Sequence, residues 1–217
     1  MNTQQDINCP LCLQKGPFEQ VEDMFNRVHY HCPNCMLVFA DPKHHLSGIG
    51  EKERYLEHNN GIQYPGYVRF LNQAIDPTLP YLNNSMNGLD YGCGPGPTLS
   101  LLLKRQGISC EDYDPIFFPK ELNSTYDFIF ATECFEHFFN PDEELKRLKK
   151  LLSPGGIITI MTIQWANLED FPSWHYAKDP THVSFFHPMT FRFICNHYGF
   201  ELLPSNNKRV IILKKIR

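Results

Sequence analysis

The sequence predicts an α/β fold on a mostly parallel sheet, preceded by a small cysteine-stapled segment. Three observations carry that expectation. First, the apolar run ending in Leu89-Asp90-Tyr91 turns through Gly92, Gly94 and Gly96 and restarts as a leucine-rich helix over residues 98–106. Glycine there lets the chain bend sharply and lets backbone approach a ligand with no Cβ in the way. Second, the apolar segments Tyr126–Ala131 and Ile157–Ile163 flank a helix with Leu145, Leu148, Leu151 and Leu152 on one face. Continuous apolar character suits strands covered on both faces. Third, Cys9-Pro10-Leu11-Cys12 and Cys32-Pro33-Asn34-Cys35 stand nineteen residues apart.

A chain of 217 residues holds one such domain plus an appendage and can bury a sizeable core. Its 42% hydrophobic and 20% charged content is ordinary for a soluble globular protein. No apolar run reaches the ~18 residues of a membrane span, so no membrane partner is expected. The opening residues MNTQQDINCP lack the basic and apolar regions of a signal peptide. A net charge of -4 opposes broad nonspecific nucleic-acid binding, though a local basic patch is compatible with it. Cys93, Cys110, Cys134 and Cys195 stand alone, which together with the missing leader points to a reducing cytoplasm.

Glycines at this spacing also occur in dinucleotide-binding turns, but Pro97 occupies the place of the last glycine in G-x-G-x-x-G. The stretch Asp90-Tyr91-Gly92-Cys93-Gly94-Pro95-Gly96 resembles motif I of the class I S-adenosylmethionine (SAM)-dependent methyltransferases. That resemblance implies a Rossmann-like sheet with SAM as cofactor. Gly92, Gly94 and Gly96 would admit its amino-acid and sulfonium end, and Asp90 would lie near its positive charge. Gly107 stops the helix, and Ile108–Tyr113 reads as a second strand ending at Asp114-Pro115. A carboxylate at that tip suits two ribose hydroxyls. Asp114 aligns with the family position, and Asp112 is the runner-up. Only eleven residues separate Asp114 from Tyr126, so the family's third strand and its helix are expected to be missing. Ile116, Phe117 and Phe118 would then wall the adenine. Leu152-Ser153-Pro154-Gly155-Gly156 before an apolar strand also resembles the family and marks its fifth strand.

The two C-x2-C pairs have the spacing of a tetrahedral metal site, each knuckle bringing two thiolates to one ion. Some forty residues make too small a core to fold alone, so a structural Zn²⁺ on Cys9, Cys12, Cys32 and Cys35 is expected, with disulfides and a redox pair as the other readings. His29 and His31 read as solvated strand residues. Tyr30–Pro42 resembles the zinc-bearing leader of some bacterial methyltransferases, including sugar C-methyltransferases. Asp41-Pro42-Lys43 and residues 47–50 read as a linker. A helical pattern follows from Glu51 to about Ala74, broken at Asn59-Asn60-Gly61 and Pro65-Gly66. Tyr55, Tyr64 and Tyr67 are placed to close over the cofactor or simply to pack helices. The chain thus divides into a zinc ribbon (1–43), a linker and helical cap (44–85) and a methyltransferase domain (86–217).

Thr132-Glu133-Cys134-Phe135-Glu136-His137 ends the strand that matches the family's fourth, where open α/β sheets place ligands. Thr132 is counted among the cofactor-binding residues. On a helical turn, Glu133, Glu136 and His137 would share one face and converge on a divalent cation. Similar E-x-x-E-H segments occur in small-RNA 3′-terminal 2′-O-methyltransferases and ubiquinone-pathway O-methyltransferases, which add a downstream histidine. Here Asp179–Phe191 resembles that downstream segment, with His182 at the ligand position and His175 as second candidate. The resemblance implies Mg²⁺ or Mn²⁺ on Glu133, Glu136, His137 and His182, lowering the pKa of an acceptor hydroxyl. Metal-free catalysis with His137, His175 or His182 as general base is the competing mechanism. Asn140, Pro141 and the acidic residues 142–144 open the next helix. A helix over 188–198 stopped by Gly199 and an antiparallel pair, Phe200–Pro204 with Val210–Lys214, complete the chain. The preferred acceptor is a small-molecule hydroxyl. The alternatives are RNA docked by the ribbon and a noncatalytic SAM-binding module.

Overall fold

The computed structural model describes residues 7–57 and 60–216. At the N-terminus each cysteine pair closes a tight turn, with Leu13 N–H donating to Cys9 and Met36 N–H to Cys32. Leu13 and Met36, each just past a pair, both adopt φ 60°, so the two knuckles repeat one backbone geometry. Strands β1 (Glu19–Glu22), β2 (Val28–His31) and β3 (Val38–Ala40) form an antiparallel meander around them. His29 and His31 are buried, not solvated as expected. Strand β2 lies inside the meander, and Phe171, Phe185 and Trp165 pack against the two imidazoles.

The Ser-Gly stretch expected to be a linker is instead a helix start. Ser47 caps α1 (Gly48–Leu56) by accepting from Gly50 N–H. Helix α2 (Pro65–Thr78) follows, with proline in its first turn. Then come β4 (Asn87–Tyr91), α3 (Leu99–Arg105), β5 (Ser109–Tyr113), β6 (Tyr126–Thr132) and α4 (Pro141–Leu151). Asn140 stands at the α4 N-cap but makes no side-chain cap bond there. Strand β7 (Leu152–Met161) takes in the Ser-Pro-Gly-Gly stretch, starting earlier than expected. Its pairing with β6 shifts register between Tyr126 and Phe128, which absorbs those residues into the ladder. The chain ends with β8 (Ser184–Phe185), α5 (Pro188–Tyr198), β9 (Phe200–Leu203) and β10 (Val210–Lys215). Gly199, at φ 75°, caps α5 in the left-handed conformation.

The larger sheet has strand order β5-β4-β6-β7-β10-β9. Its β5-β4-β6-β7 half is parallel, and β10 runs antiparallel to both neighbours. Among the described residues no strand lies outside β5, as the short Asp114–Tyr126 connection requires. Alternation along β6 splits the core. Phe128 and Phe130 join the cluster that contains α2 and α3 residues, whereas Ile129 and Ala131 join the one that contains α4 and α5 residues. Cys9, Leu11, Tyr30, Leu37 and Phe39 of the N-terminal segment share that second cluster, and β3 pairs with β8. Tyr198 on α5 donates to the Leu11 carbonyl and to Asp142. The N-terminal strands and the later part of the chain therefore share both a sheet and a core.

Candidate active site

The glycine turn after β4 forms one wall of a cavity of about 720 Å³ at the carboxyl ends of the parallel strands. Gly92 and Gly94 have φ 81° and 66°, a region that favours glycine. A Cβ on Gly92 would stand 2.6 Å from Cys134 Sγ. Asp90 is only 2% exposed, and its Oδ1 has no partner. Burial, with Asp112 and Asp114 nearby, holds its carboxyl well above the usual range. A buried carboxylate oxygen without a partner beside an open cavity calls for a cation, and the SAM ammonium and sulfonium supply positive charge. Asp114 lines the same wall. Its carboxylate accepts from Gly94, Ile116 and Phe117 N–H, which fixes its orientation. Thr132, Tyr67 and Asn60 also line the cavity. These features fit SAM.

Past the end of β6, His137 and His182 line the cavity, and Glu136 is buried next to them. Glu136, His137 and His182 bring ligand atoms within 4.8 Å of one another. His137 Nδ1 lies 3.1 Å from the Thr181 carbonyl, and His182 Nδ1 lies 2.7 Å from the Tyr176 carbonyl. A carbonyl only accepts, so both Nδ1 atoms carry the proton and both Nε2 atoms keep a free lone pair. Burial lowers both imidazoles, His182 to about 4, so they are neutral at pH 7. Glu136 is fully buried; its oxygens accept from Thr162 Oγ1 at 2.9 Å and Tyr176 Oη at 2.5 Å. Burial, then the nearby Glu133, pushes its carboxyl up to about 7.

The sequence matches the methyltransferase-domain family over residues 60–205. The chain belongs to that family. Similar solved structures include magnesium protoporphyrin IX methyltransferase from Synechocystis PCC 6803 with bound SAH. It is 13% identical, with 78% of this chain and 95% of that one covered and a TM-score of 0.54. A SAM-dependent methyltransferase from Archaeoglobus fulgidus is 21% identical over 68% and 94% of the two chains, with a TM-score of 0.50. An O-methyltransferase family protein from Burkholderia thailandensis is 15% identical over 67% of this chain, with a TM-score of 0.46. This chain spans 57% of that protein's length. The protein carries a methyltransferase domain on a Rossmann-like sheet, the fold of those SAM-dependent enzymes.

In this methyltransferase the expected site residues do not all converge. Glu133 stands apart from the Glu136–His137–His182 group. The reason is local: Glu133 has φ 47°, and only Phe135–His137 form a 3-10 turn, so no helical face joins it to Glu136. Glu133 still lines the cavity; its Oε1 is buried without a partner, and burial raises its carboxyl to about 7. His175 is exposed and lies outside the lining. Tyr55 and Tyr67 line the cavity, whereas Tyr64 is exposed. Of the three apolar residues after Asp114, Ile116 alone reaches the lining. Gly96 serves the fold instead of the ligand, since a Cβ there would stand 2.7 Å from the Asn60 carbonyl.

Sequence reasoning missed Tyr176, Thr162, Asn60 and the Arg54–Asp179 pair. Tyr176 Oη also lies 3.4 Å from Glu133 Oε2, and its ring centroid is 4.3 Å from that of His182. Arg54 on α1 grips Asp179 Oδ2 through Nε and Nη2, while Tyr55 stands edge-on to His137. Helix α1 is thereby fastened over the site. The only available signal was the downstream histidine segment, which marked the neighbourhood of Tyr176 and Asp179 without naming them. Outside this site, Cys9, Cys12, Cys32 and Cys35 form another group, of four residues, with Sγ separations of 3.5 Å (Cys9–Cys35) and 3.4 Å (Cys12–Cys32). Among the described residues no helix is long and apolar enough to cross a membrane.

Proposed function

We propose that this methyltransferase modifies a hydroxyl of a small molecule, with a divalent cation held by Glu136, His137 and His182. The carrying observation is the meeting of one carboxylate and two imidazoles, both with Nε2 free: His137 and His182 line the cavity, and Glu136 is fully buried beside them. When bound, SAM supplies an electrophilic methyl group, which leaves alignment and deprotonation of the acceptor to the protein. A cation in this set would lower the pKa of a coordinated hydroxyl. Two imidazoles to one carboxylate favour Mn²⁺ over Mg²⁺, because Mg²⁺ prefers an all-oxygen shell. Thr162 and Tyr176 orient the Glu136 carboxylate, and the backbone carbonyls of Thr181 and Tyr176 orient the imidazoles. Glu133, raised to about 7 and with Oε1 free, is suited to accept the hydroxyl proton.

The charge of the cavity supports a small acceptor over RNA. Among the described lining residues Arg147 is the only Lys or Arg. Its guanidinium is already engaged by the hydroxyls of Tyr91 and Tyr113. Among its described residues the cavity wall therefore offers a phosphate no free Lys or Arg. The four N-terminal cysteines are proposed to hold a structural Zn²⁺, since the sulfur separations approach the ~3.8 Å of thiolates about 2.3 Å from a tetrahedral ion. On this reading residues 1–43 are a ribbon module, 44–85 a cap and 86–217 the catalytic domain, in a cytoplasmic enzyme.

Calorimetry with SAM tests donor binding, and conversion of SAM to SAH across metabolite pools tests turnover. Turnover should fall on mild chelation that leaves zinc in place, and Mn²⁺ should restore it better than Mg²⁺. Undiminished turnover in Glu136→Ala would refute the metal assignment.

A further inference from the structure

We propose that the acceptor is an elongated molecule without negative charge, and that its far end lies in the cleft between the cysteine ribbon and the catalytic sheet. A second cavity, of about 510 Å³, opens there. Phe139, Asn140 and Glu143 line both cavities, so the two adjoin. The opposite wall comes from the ribbon through Pro10, Leu13 and Phe39. The first cavity must hold SAM together with the reactive end of the acceptor, and past Phe139 a longer acceptor can continue into the second cavity. At that junction the Phe139 ring stacks on His45, centroids 4.7 Å apart and planes 24° from parallel. Leu13 is 58% exposed although apolar, because the left-handed turn after Cys12 holds it out of the ribbon core.

Charge selects the occupant further. No Lys or Arg is among the described residues lining the second cavity. Asp142 is matched by Lys146 and Tyr198. Glu143 is exposed and has no ion-pair partner among the described residues. An anionic tail would meet that carboxylate with nothing to offset it, whereas a neutral or ammonium-bearing tail would not. Aromatic and apolar walls supply the contact area. The ribbon is therefore part of acceptor recognition.

The placement of the reactive end rests on the hydroxyl-acceptor reading, and the test keeps the two apart. The probes are catechol, catechol with an eight-carbon chain ending in ammonium, its carboxylate counterpart, and phenyloctylammonium. Binding to the zinc-loaded full chain is measured by calorimetry in the presence of SAH, and methylation is measured separately with SAM. The ammonium-tailed catechol should bind at least ~10-fold tighter than catechol and ~10-fold tighter than the carboxylate form. Leu13→Trp, which fills the cleft, should remove the gain from the tail with zinc content retained. If the ribbon does not tolerate that change, Glu143→Lys should reverse the charge preference. Equal affinity with and without the tail, a gain that survives Leu13→Trp, or equal binding of both charges overturns the proposal. Tail-dependent binding of phenyloctylammonium with no catechol methylation would leave the cleft assigned and remove the hydroxyl reading. Catechol methylation with no tail effect would do the reverse.

Discussion

Replacing Tyr176 by phenylalanine removes one oxygen and keeps the ring that packs 4.3 Å from His182. The lost hydroxyl donates to Glu136 Oε1 at 2.5 Å and lies 3.2 Å from Thr162 Oγ1 and 3.4 Å from Glu133 Oε2. A hydrogen bond to a charged group contributes about 1.5–3 kcal/mol, and Glu136 would keep only Thr162. Deprived of that donor, the Glu136 carboxyl rises further and holds its proton more firmly, which opposes cation binding. Loss of a group that orients a metal ligand costs ~10–100-fold in metal affinity. The expected outcome is therefore Mn²⁺ affinity reduced ~10–100-fold, read by calorimetry or by the spin-resonance signal of free Mn²⁺. SAM affinity should hardly change, because Tyr176 is not in the cavity lining. A loss of about 2 kcal/mol in stability would lower Tm by about 4–8 °C in a chain of this size. A Tm decrease with unaltered Mn²⁺ affinity would refute the reasoning and leave Tyr176 a packing residue.

Other perturbations follow from the same geometry. Asp90→Asn should weaken SAM binding ~10–100-fold by calorimetry while leaving the free protein equally or more stable. It removes a buried, unpartnered carboxylate beside Asp112, its register neighbour on β5; a lower Tm in the free protein would contradict this. Cys35→Ser should lose the bound zinc measured by atomic absorption and destabilise the chain on the order of 4 kcal/mol, since the knuckles close the core shared with α5. Between pH 8 and pH 6, Mn²⁺ affinity should fall about tenfold, because the proton on Glu136, raised to about 7, competes with the cation; a flat profile would count against this ligand. In the metal-free protein the sign reverses for stability. The contribution of the raised Glu133 and Glu136 carboxyls is complete below the ordinary carboxylate range and fades as pH rises through about 7. His182, lowered to about 4, contributes stability that is present above the ordinary imidazole range and lost as pH falls toward 4. Melting curves from pH 4 to 8 resolve the two.

The glycine turn after β4 was legible because its information is local. Gly92 and Gly94 let the chain bend after Asp90 through the left-handed region, and the apolar run of β6 can only be buried. The short Asp114–Tyr126 connection left no length for another strand and helix, and none is present among the described residues. The cysteine pairs are likewise local, and their spacing sufficed to bring four sulfurs together once the meander closed. The cluster past β6 was only partly legible. E-x-x-E-H spacing suggested a shared helical face, but Glu133 entered the left-handed region and a 3-10 turn replaced the helix, so His182 completes the group without it.

Spacing along the chain was enough for the knuckles, the donor turn and the parallel strands, because each depends on backbone geometry within a few residues. Which carboxylate faces the imidazoles, where Tyr176 and Arg54 reach, and the meeting of the cysteine-bearing N-terminal segment with the rest of the fold were settled by packing between segments distant in sequence. Arg54 meets Asp179 across 125 positions, and Tyr198 meets Leu11 across 187. Contacts of that range arise from how strands and helices bury one another's apolar faces, a property of the assembled core that no short stretch contains.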